Sequence, residues 1–341
     1  MKVVSVYQAE GMVLCHDITE IVPGKFKGRA FKKGHVIRKE DIPKLLTIGK
    51  ENIYVWEVND KTLHENDAAL RLAQAVAGSG VTLAEASEGK VEIKAGISGL
   101  LKVNSAALEK INDIDQLAVA TLHANQVVEA GKKLAGCKVI PLVIDLEKIK
   151  NAEQLCAACY PVVEVKPLQS CKVGIVTTGS EIYYGRIKDC FGPVLTEKFG
   201  QLGSSILQQI IVDDDIDMIA DAIHRLLDAG AEMIVTTGGM SVDPDDVTPA
   251  AIRTAGGEIA LYGAPTLPGA MFMLAYFGDV PVLGLPGCVM YHKSTIFDLV
   301  VPRLLAGEKL VKRDISKLGY GGLCLNCEEC HYPECGFGKG S

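Results

Sequence analysis

The tightest constraint on this chain lies between residues 171 and 312, where short apolar runs alternate with stretches of helical spacing. Residues 171–179 (CKVGIVTTG) form an apolar run that ends in a Gly-rich turn. Residues 194–202 read as a helix and 205–212 as a strand. Asp215 can cap a helix that turns Ile219, Ile223, Leu226 and Leu227 inward, and Gly230 ends it. Residues 232–237 read as the next strand, and 249–255 as a short helix with Pro in its first turn. Residues 280–285 form another strand, and 290–305 the last helix. Alternation of the two periods predicts an α/β fold, a doubly wound, mostly parallel sheet with helices on both faces. No repeat at solenoid periods is present.

At 341 residues the chain is too long for one ordinary core. The expected divisions are a β-rich region at 1–60, a mixed α/β linker domain at 61–165, the α/β domain at 166–312 and a Cys-rich tail at 313–341. Within the smaller N-terminal part, residues 3–6, 11–14, 35–37 and 52–56 are candidate strands between Gly and Pro. The basic stretch 24–33 (GKFKGRAFKK) reads as a solvated loop, and Trp56 as core. Residues 64–78 carry helical spacing, with His64 and Glu65 in the first turn, and Asn104-Ser105 can cap a helix over 106–111. Residues 138–145 (KVIPLVID) read as a buried strand that Pro141 pushes toward a sheet edge.

With 48% apolar and 23% charged residues, the chain can bury a large core and is not of disordered composition. A net charge of −7 argues against nucleic acid and anionic membranes as partners. No apolar run approaches the ~20 residues a spanning helix needs. The opening MKVVSVYQAEG lacks a basic start followed by a long apolar stretch, so eleven cysteines point to reduced thiols in the cytoplasm. Cys15, Cys137, Cys171, Cys190 and Cys288 are scattered and read as small core hydrophobes. Cys156 and Cys159 read as a helix-end pair packed inward.

In an open parallel sheet, ligands bind beyond the carboxyl ends of the strands. Three such ends carry unusual loops: Thr177-Thr178-Gly179-Ser180-Glu181, then Thr236-Thr237-Gly238-Gly239-Met240-Ser241 leading to Asp243-Pro244-Asp245-Asp246, and Pro286-Gly287-Cys288. Glycines allow close approach, and hydroxyls with free amides suit a phosphate or carboxylate. A fourth end adds Asp213-Asp214-Asp215, where Asp213 is the better ligand candidate and Asp215 the better cap. Carboxylates beside an anion site make sense when Mg²⁺ joins them to phosphate. Spacing thus leads to a phosphorylated ligand with Mg²⁺.

VTTGSEI, VTTGGMSVDPDDVTP and GLPG before a long helix resemble the molybdopterin-binding domain shared by molybdopterin adenylyltransferases and molybdopterin molybdenumtransferases. The likeness is specific over about 171–307. AEGMVLCHDIT at 9–19 resembles the start of a molybdenumtransferase more loosely. The resemblance implies an enzyme of molybdenum cofactor biosynthesis that binds adenylylated molybdopterin with Mg²⁺ and acts in molybdate insertion. A non-catalytic carrier or sensor of the cofactor, or an adenylyltransferase, are the alternatives. By motif position, Thr237, Gly238 and Gly239 contact the pterin phosphate region, with Thr178, Gly179, Ser180, Glu181, Ser241, Pro286 and Gly287 around it. Asp246 then ligates Mg²⁺, and Asp213 is a second catalytic carboxylate. Molybdopterin and molybdate are the implied small-molecule partners. A molybdoenzyme or another maturation protein is the implied protein partner, and a homo-oligomer the implied state. The chain lacks the P-x-x-x-S-A-M-D-G-Y-A stretch of the molybdenumtransferases, and it reads Leu267-Pro268-Gly269-Ala270-Met271 where they carry P-G-K-P.

Cys324, Cys327, Cys330 and Cys335 are spaced x2, x2 and x4. The run is near that of bacterial ferredoxins, with a last gap one residue longer. A tetrathiolate zinc knot fits the spacing as well. Zn²⁺ and an iron–sulfur cluster both remain open, and His331 could replace one thiolate.

Overall fold

The computed structural model describes residues 2–22, 25–55 and 61–340. The alternating segment forms a six-stranded sheet built from β1 (Lys172–Thr178), β2 (Ser205–Val212), β3 (Met233–Thr237), β4 (Glu258–Tyr262), β5 (Met273–Phe277) and β6 (Val280–Leu285). Their spatial order is β2-β1-β3-β6-β5-β4. The first four run parallel, while β5 is antiparallel to β6 and β4 to β5. The sheet is therefore α/β and mostly parallel, as the alternation predicts, with an antiparallel extension at one edge. That extension escapes the sequence reading because residues 258–277 carry no helical stretch to mark a crossover.

Helices α1 (Phe191–Gln201), α2 (Ile216–Asp228), α3 (Thr248–Thr254) and α4 (Ile296–Leu305) cover the two faces. On one, Ile175, Val235 and Leu283 pack with Leu195 and Phe199 of α1 and Phe297, Val300 and Val301 of α4. Phe199 and Phe297 meet edge-on at 5.1 Å, a geometry that adds about 1 kcal/mol to their burial. On the other face, Val176, Ile234 and Val282 pack with Ile219, Ile223 and Leu226 of α2 and Ala251 and Ile252 of α3. Asp215 caps α2 by accepting from the Met218 amide at 2.9 Å. The last helix starts later than its pattern suggests. Gly287–Met290 is a 3₁₀ turn, and Thr295 then caps α4 with Asp298 reaching back to the Thr295 amide at 2.7 Å.

In the N-terminal part, Lys2–Ser5 pairs with Asn52–Val55. The stretches 11–14 and 35–37 contribute only isolated bridges, such as Val13 with Val36. The basic stretch is a hairpin rather than a loop: Ile18–Val22 pairs with Phe26–Phe31. Lys27 and Arg29 share one face of that strand, an alternation hidden by counting charges. Trp56 lies outside the described residues.

The middle part has its own buried cluster, including Leu72, Val76, Ile93, Leu101, Ile149 and Val163. Lys133–Val139 pairs with both Lys90–Ala95 and Leu117–Thr121, and Gly99–Val103 with Val163–Lys166. Helices Glu65–Val76, Ser105–Asn112 and Leu146–Ala158 close over them. His64 caps the first through the Asn66 amide, and Asn104 the second through the Ala107 amide, each at 3.1 Å. The single strand expected at 138–145 is two: one ends at Val139 and Val143–Asp145 pairs elsewhere, because Pro141 offers no amide to a ladder. Burial pushes the thiols of Cys137 and Cys156 up to about 12 and 11, so both stay protonated and inert.

Glu308 ties the middle part to the sheet. It accepts from Lys102 at 2.6 Å and from Arg303, itself buried, at 2.8 Å. Burial alone would raise its pKa, but Lys102 and Arg303 outweigh that and hold it below the usual range. The tail also packs on the sheet unit: Ile315, Leu318 and Phe337 belong to the same buried cluster as α1 and α4.

Candidate functional site

The loops singled out in the sequence gather at the carboxyl edge of the parallel strands, where β1, β3 and β6 lie side by side with β2 outside β1. After β1 the chain turns at buried Gly179 (φ 141°) into a single helical turn, Ser180–Tyr183. Ser180 reaches across to the end of β2. Its hydroxyl donates to Asp213 Oδ1, and its amide to Asp214 Oδ2 at 2.9 Å. The Asp214 amide donates to Asp213 Oδ1, also at 2.9 Å. The Ser180 and Tyr184 hydroxyls hold the Asp213 carboxyl below its ordinary range, and Asp213 in turn raises the phenol of Tyr184. Arg186 stacks 5.3 Å from the Tyr184 ring centre. The result is an ionised carboxylate with a fixed orientation, reached from solvent.

The loop after β3 is built differently. Gly238 and Gly239 have φ of 87° and 56°. A Cβ at Gly238 would collide with the Thr178 carbonyl oxygen, and one at Gly239 would stand 2.6 Å from Thr248 Oγ1. These glycines are demanded by the packing of one loop on another, whatever ligand lies above. Thr237 and Thr178 are buried. Thr237 donates to Thr177 Oγ1 at 3.3 Å, and Gln209 donates to the same oxygen at 2.9 Å. Thr248 Oγ1 lies 3.5 Å from the Thr178 hydroxyl and donates to the Gly238 carbonyl at 2.9 Å. Of the hydroxyls named from sequence on these two loops, those of Ser180 and Ser241 are the ones within reach of solvent.

Asp246 accepts from the Asp243 amide at 2.8 Å and is half-buried. Tyr262, at the end of β4, donates to the Met240 carbonyl at 3.0 Å; burial and then Asp246 raise its phenol. The structure joins Asp213 to Ser180 and Asp246 to Asp243, and no hydrogen bond or ion pair joins the two aspartates. β1 stands between β2 and β3, so the strand ends that carry them are roughly 10 Å apart. Pro286 is buried, whereas Gly287 is exposed with no atom within 4 Å of where a Cβ would stand. Burial raises the Cys288 thiol. Tyr184, Arg186, Asp214 and Tyr262 are site residues that the sequence reading did not assign. The Tyr-Tyr-Gly-Arg turn, with two exposed aromatics, marks Tyr184 and Arg186, the Asp-Asp-Asp run marks Asp214, and no sequence signal marks Tyr262.

The tail meets this edge from the side. Its backbone bonds to the loop between β4 and β5, from the Leu267 amide to the Gly322 carbonyl and from the Cys324 amide to the Leu267 carbonyl, both at 2.8 Å. Cys324, Cys327, Cys330 and Cys335 line one cavity of about 560 Å³, whose other wall is Tyr291–Ser294, the continuation of the Pro286-Gly287-Cys288 loop. Among the described residues, no three His, Cys, Asp or Glu side chains are grouped so as to hold one metal ion. No helix among them is long and apolar enough to cross a membrane.

Comparison with known proteins agrees with this geometry. Residues 174–306 match a family described as a probable molybdopterin binding domain. That match spans the sheet unit. The family is linked to molybdenum cofactor biosynthesis, and residues 3–57 match a separate domain of unknown function. A CinA-like protein of Mycobacterium avium is 34% identical over 93 residues, 27% of this chain and 21% of that protein. A molybdopterin molybdenumtransferase of Synechococcus elongatus is 25% identical over 232 residues, 64% of this chain and 56% of that protein. The molybdopterin biosynthesis enzyme MoaB of Thermus thermophilus is 21% identical, covering 40% of this chain and 98% of that one, with a TM-score of 0.33. The chain thus spans 21% and 56% of the two curated relatives' lengths. The matched span 174–306 carries the Ser180–Asp213 contact and both Thr-Thr-Gly turns.

Proposed function

We propose that this chain binds adenylylated molybdopterin with Mg²⁺ at the carboxyl edge of the sheet and acts in the insertion of molybdate. The observation that carries the reading is the Ser180–Asp213–Tyr184 constellation, an ionised carboxylate fixed beside the turn at Gly179 and reached from solvent. Asp246 would ligate Mg²⁺, and Asp213 would serve as the second carboxylate. Mg²⁺ would neutralise phosphate charge as the adenylyl phosphoanhydride breaks. The chain's own residues do the positioning. Because the Thr237 hydroxyl is engaged by Thr177, Gly238 and Gly239 would meet the phosphate through backbone, with Ser241 and Ser180 offering hydroxyls. Gly179, Glu181, Pro286 and Gly287 would shape the walls. The four tail thiols are read as a metal centre beside this site, and hand-over of product to a molybdoenzyme or another maturation protein would use the same edge.

One observation favours a second reading, a carrier that holds the cofactor without transforming it. The loop of Leu267 to Met271 carries no lysine and is tied to the tail through Leu267. Anaerobic incubation with adenylylated molybdopterin and molybdate separates the two. AMP release supports insertion, and retention of intact ligand supports a carrier. Pyrophosphate formed from molybdopterin and ATP would instead identify an adenylyltransferase. Under the insertion reading, Asp246→Ala should reduce Mg²⁺-dependent AMP release by at least about 100-fold without unfolding the protein. Unchanged release would remove Asp246 from the mechanism.

A further inference from the structure

The Cys-rich tail is held in place with close tolerances. A Cβ at Gly322 would collide with the Pro265 carbonyl, one at Gly338 with Leu299, and one at Gly340 with the Tyr320 carbonyl. Phe337 is buried beneath, and Tyr332 packs 6.2 Å from it while donating to the Asp298 carbonyl at 3.1 Å. On this frame all four thiols of the run line a single cavity, walled on the far side by the loop that continues from β6.

We propose that Cys324, Cys327, Cys330 and Cys335 hold an iron–sulfur cluster in this cavity, rather than a single zinc ion. The inference rests on reading the tail as a metal centre and is independent of the pterin reading. Zinc draws four sulfurs to about 2.3 Å from one point, which leaves no cavity between them. Here the four thiols are spread along the wall of one cavity of about 560 Å³, and no three of them are grouped for one ion. A cluster needs the opposite arrangement, with each thiolate on a different iron and inorganic sulfide filling the space between. Two of the four sulfurs also have hydrogen-bond partners of the kind that offset the charge of cluster thiolates. The Asn326 amide donates to Cys324 Sγ at 3.5 Å, in a turn where Asn326 takes a φ of 51°, and Ser294 Oγ lies 3.3 Å from Cys330 Sγ. Lys293 lines the cavity and adds positive charge to its wall.

The test is anaerobic reconstitution of the full chain with ferric iron, sulfide and a thiol that reduces part of the iron, against a parallel sample given zinc alone. The expected result is about four iron and four sulfide per chain with a broad visible absorbance that bleaches on reduction. Cys327→Ser, at an exposed position, and Cys335→Ser should lose most of that absorbance, while Cys156→Ser should keep it. Thermal melting of each variant checks its fold. One tightly bound zinc with no sulfide uptake would overturn the cluster and leave the metal-centre reading standing. Uptake of neither would overturn both. A sample that assembles the cluster yet binds no adenylylated molybdopterin would support the cluster and count against the pterin reading alone.

Discussion

Ile-Val-Thr-Thr-Gly occurs twice, at 175–179 and 234–238, on the adjacent parallel strands β1 and β3. The two copies do not do the same thing. Ile175 pairs with Val235 and Val176 with Thr236, so the copies are offset by one residue. A one-residue offset reverses the faces. Ile175 therefore packs under α1 and α4, while Ile234 packs under α2 and α3. The offset is tolerated because both faces are buried and apolar. Beyond the strands the difference becomes functional. The first copy opens at Gly179 into Ser180, Tyr184 and the Asp213 carboxylate. The second closes on the first, with Gly238 against the Thr178 carbonyl. Identical strand residues lead to a fixed carboxylate in one place and to a backbone-lined wall of the same candidate site in the next, and the residues after the glycine decide which.

Substitutions at the two glycines give the most severe test of that contrast. Gly238→Ala should cost about 3 kcal/mol, since it combines a left-handed backbone with a collision against main chain. A loss below about 1 kcal/mol in urea unfolding would break the comparison. Gly179→Ala should cost less, about 1–2 kcal/mol, because the atoms its Cβ meets, at 3.0 Å, belong to the Glu181 carboxylate, the end of a flexible side chain. Ser180→Ala should leave stability within about 0.5 kcal/mol while removing the chief donor to Asp213. The sign comes from linkage. A carboxylate held low in the folded state stabilises it above the ordinary carboxylate pKa, and this is lost as pH falls through the lower folded value. Without Ser180 that loss should move to higher pH, readable as a raised Asp213 titration by NMR. An unmoved titration would show that the hydroxyl does not set the carboxylate.

Much of the fold was legible, because the two periods differ strongly where strands are buried on both faces. Residues 172–178 and 280–285 show it, and the Asp215 cap marks a helix start, whereas the pairing of 18–22 with 26–31 is masked by lysines and arginine on an exposed strand. The antiparallel pair β4–β5 was hidden for a related reason: nothing in its composition separates it from a loop and a crossover strand. At the site, sequence pointed to the loops and to Asp213 but not to the direction of each hydroxyl. Thr237 and Ser180 look alike as candidates, and only the register of β1 on β3 turns Thr237 inward to Thr177. Tyr184 became a partner of Asp213 only once the turn after Gly179 set them together. The cysteine spacing was plain, but that the tail shares a wall with the loop after β6 depends on Leu267 pairing with Leu323.

The central claim is that the carboxyl edge of this sheet holds a phosphorylated pterin through carboxylates and Mg²⁺. Calorimetric titration of the anaerobic full chain with adenylylated molybdopterin, with and without Mg²⁺, tests it most directly. The account predicts saturable binding to one site per chain that weakens at least about tenfold when Mg²⁺ is withheld or Asp246 becomes Ala. Binding that is absent, or equally tight without Mg²⁺ and without the Asp246 carboxylate, would contradict it.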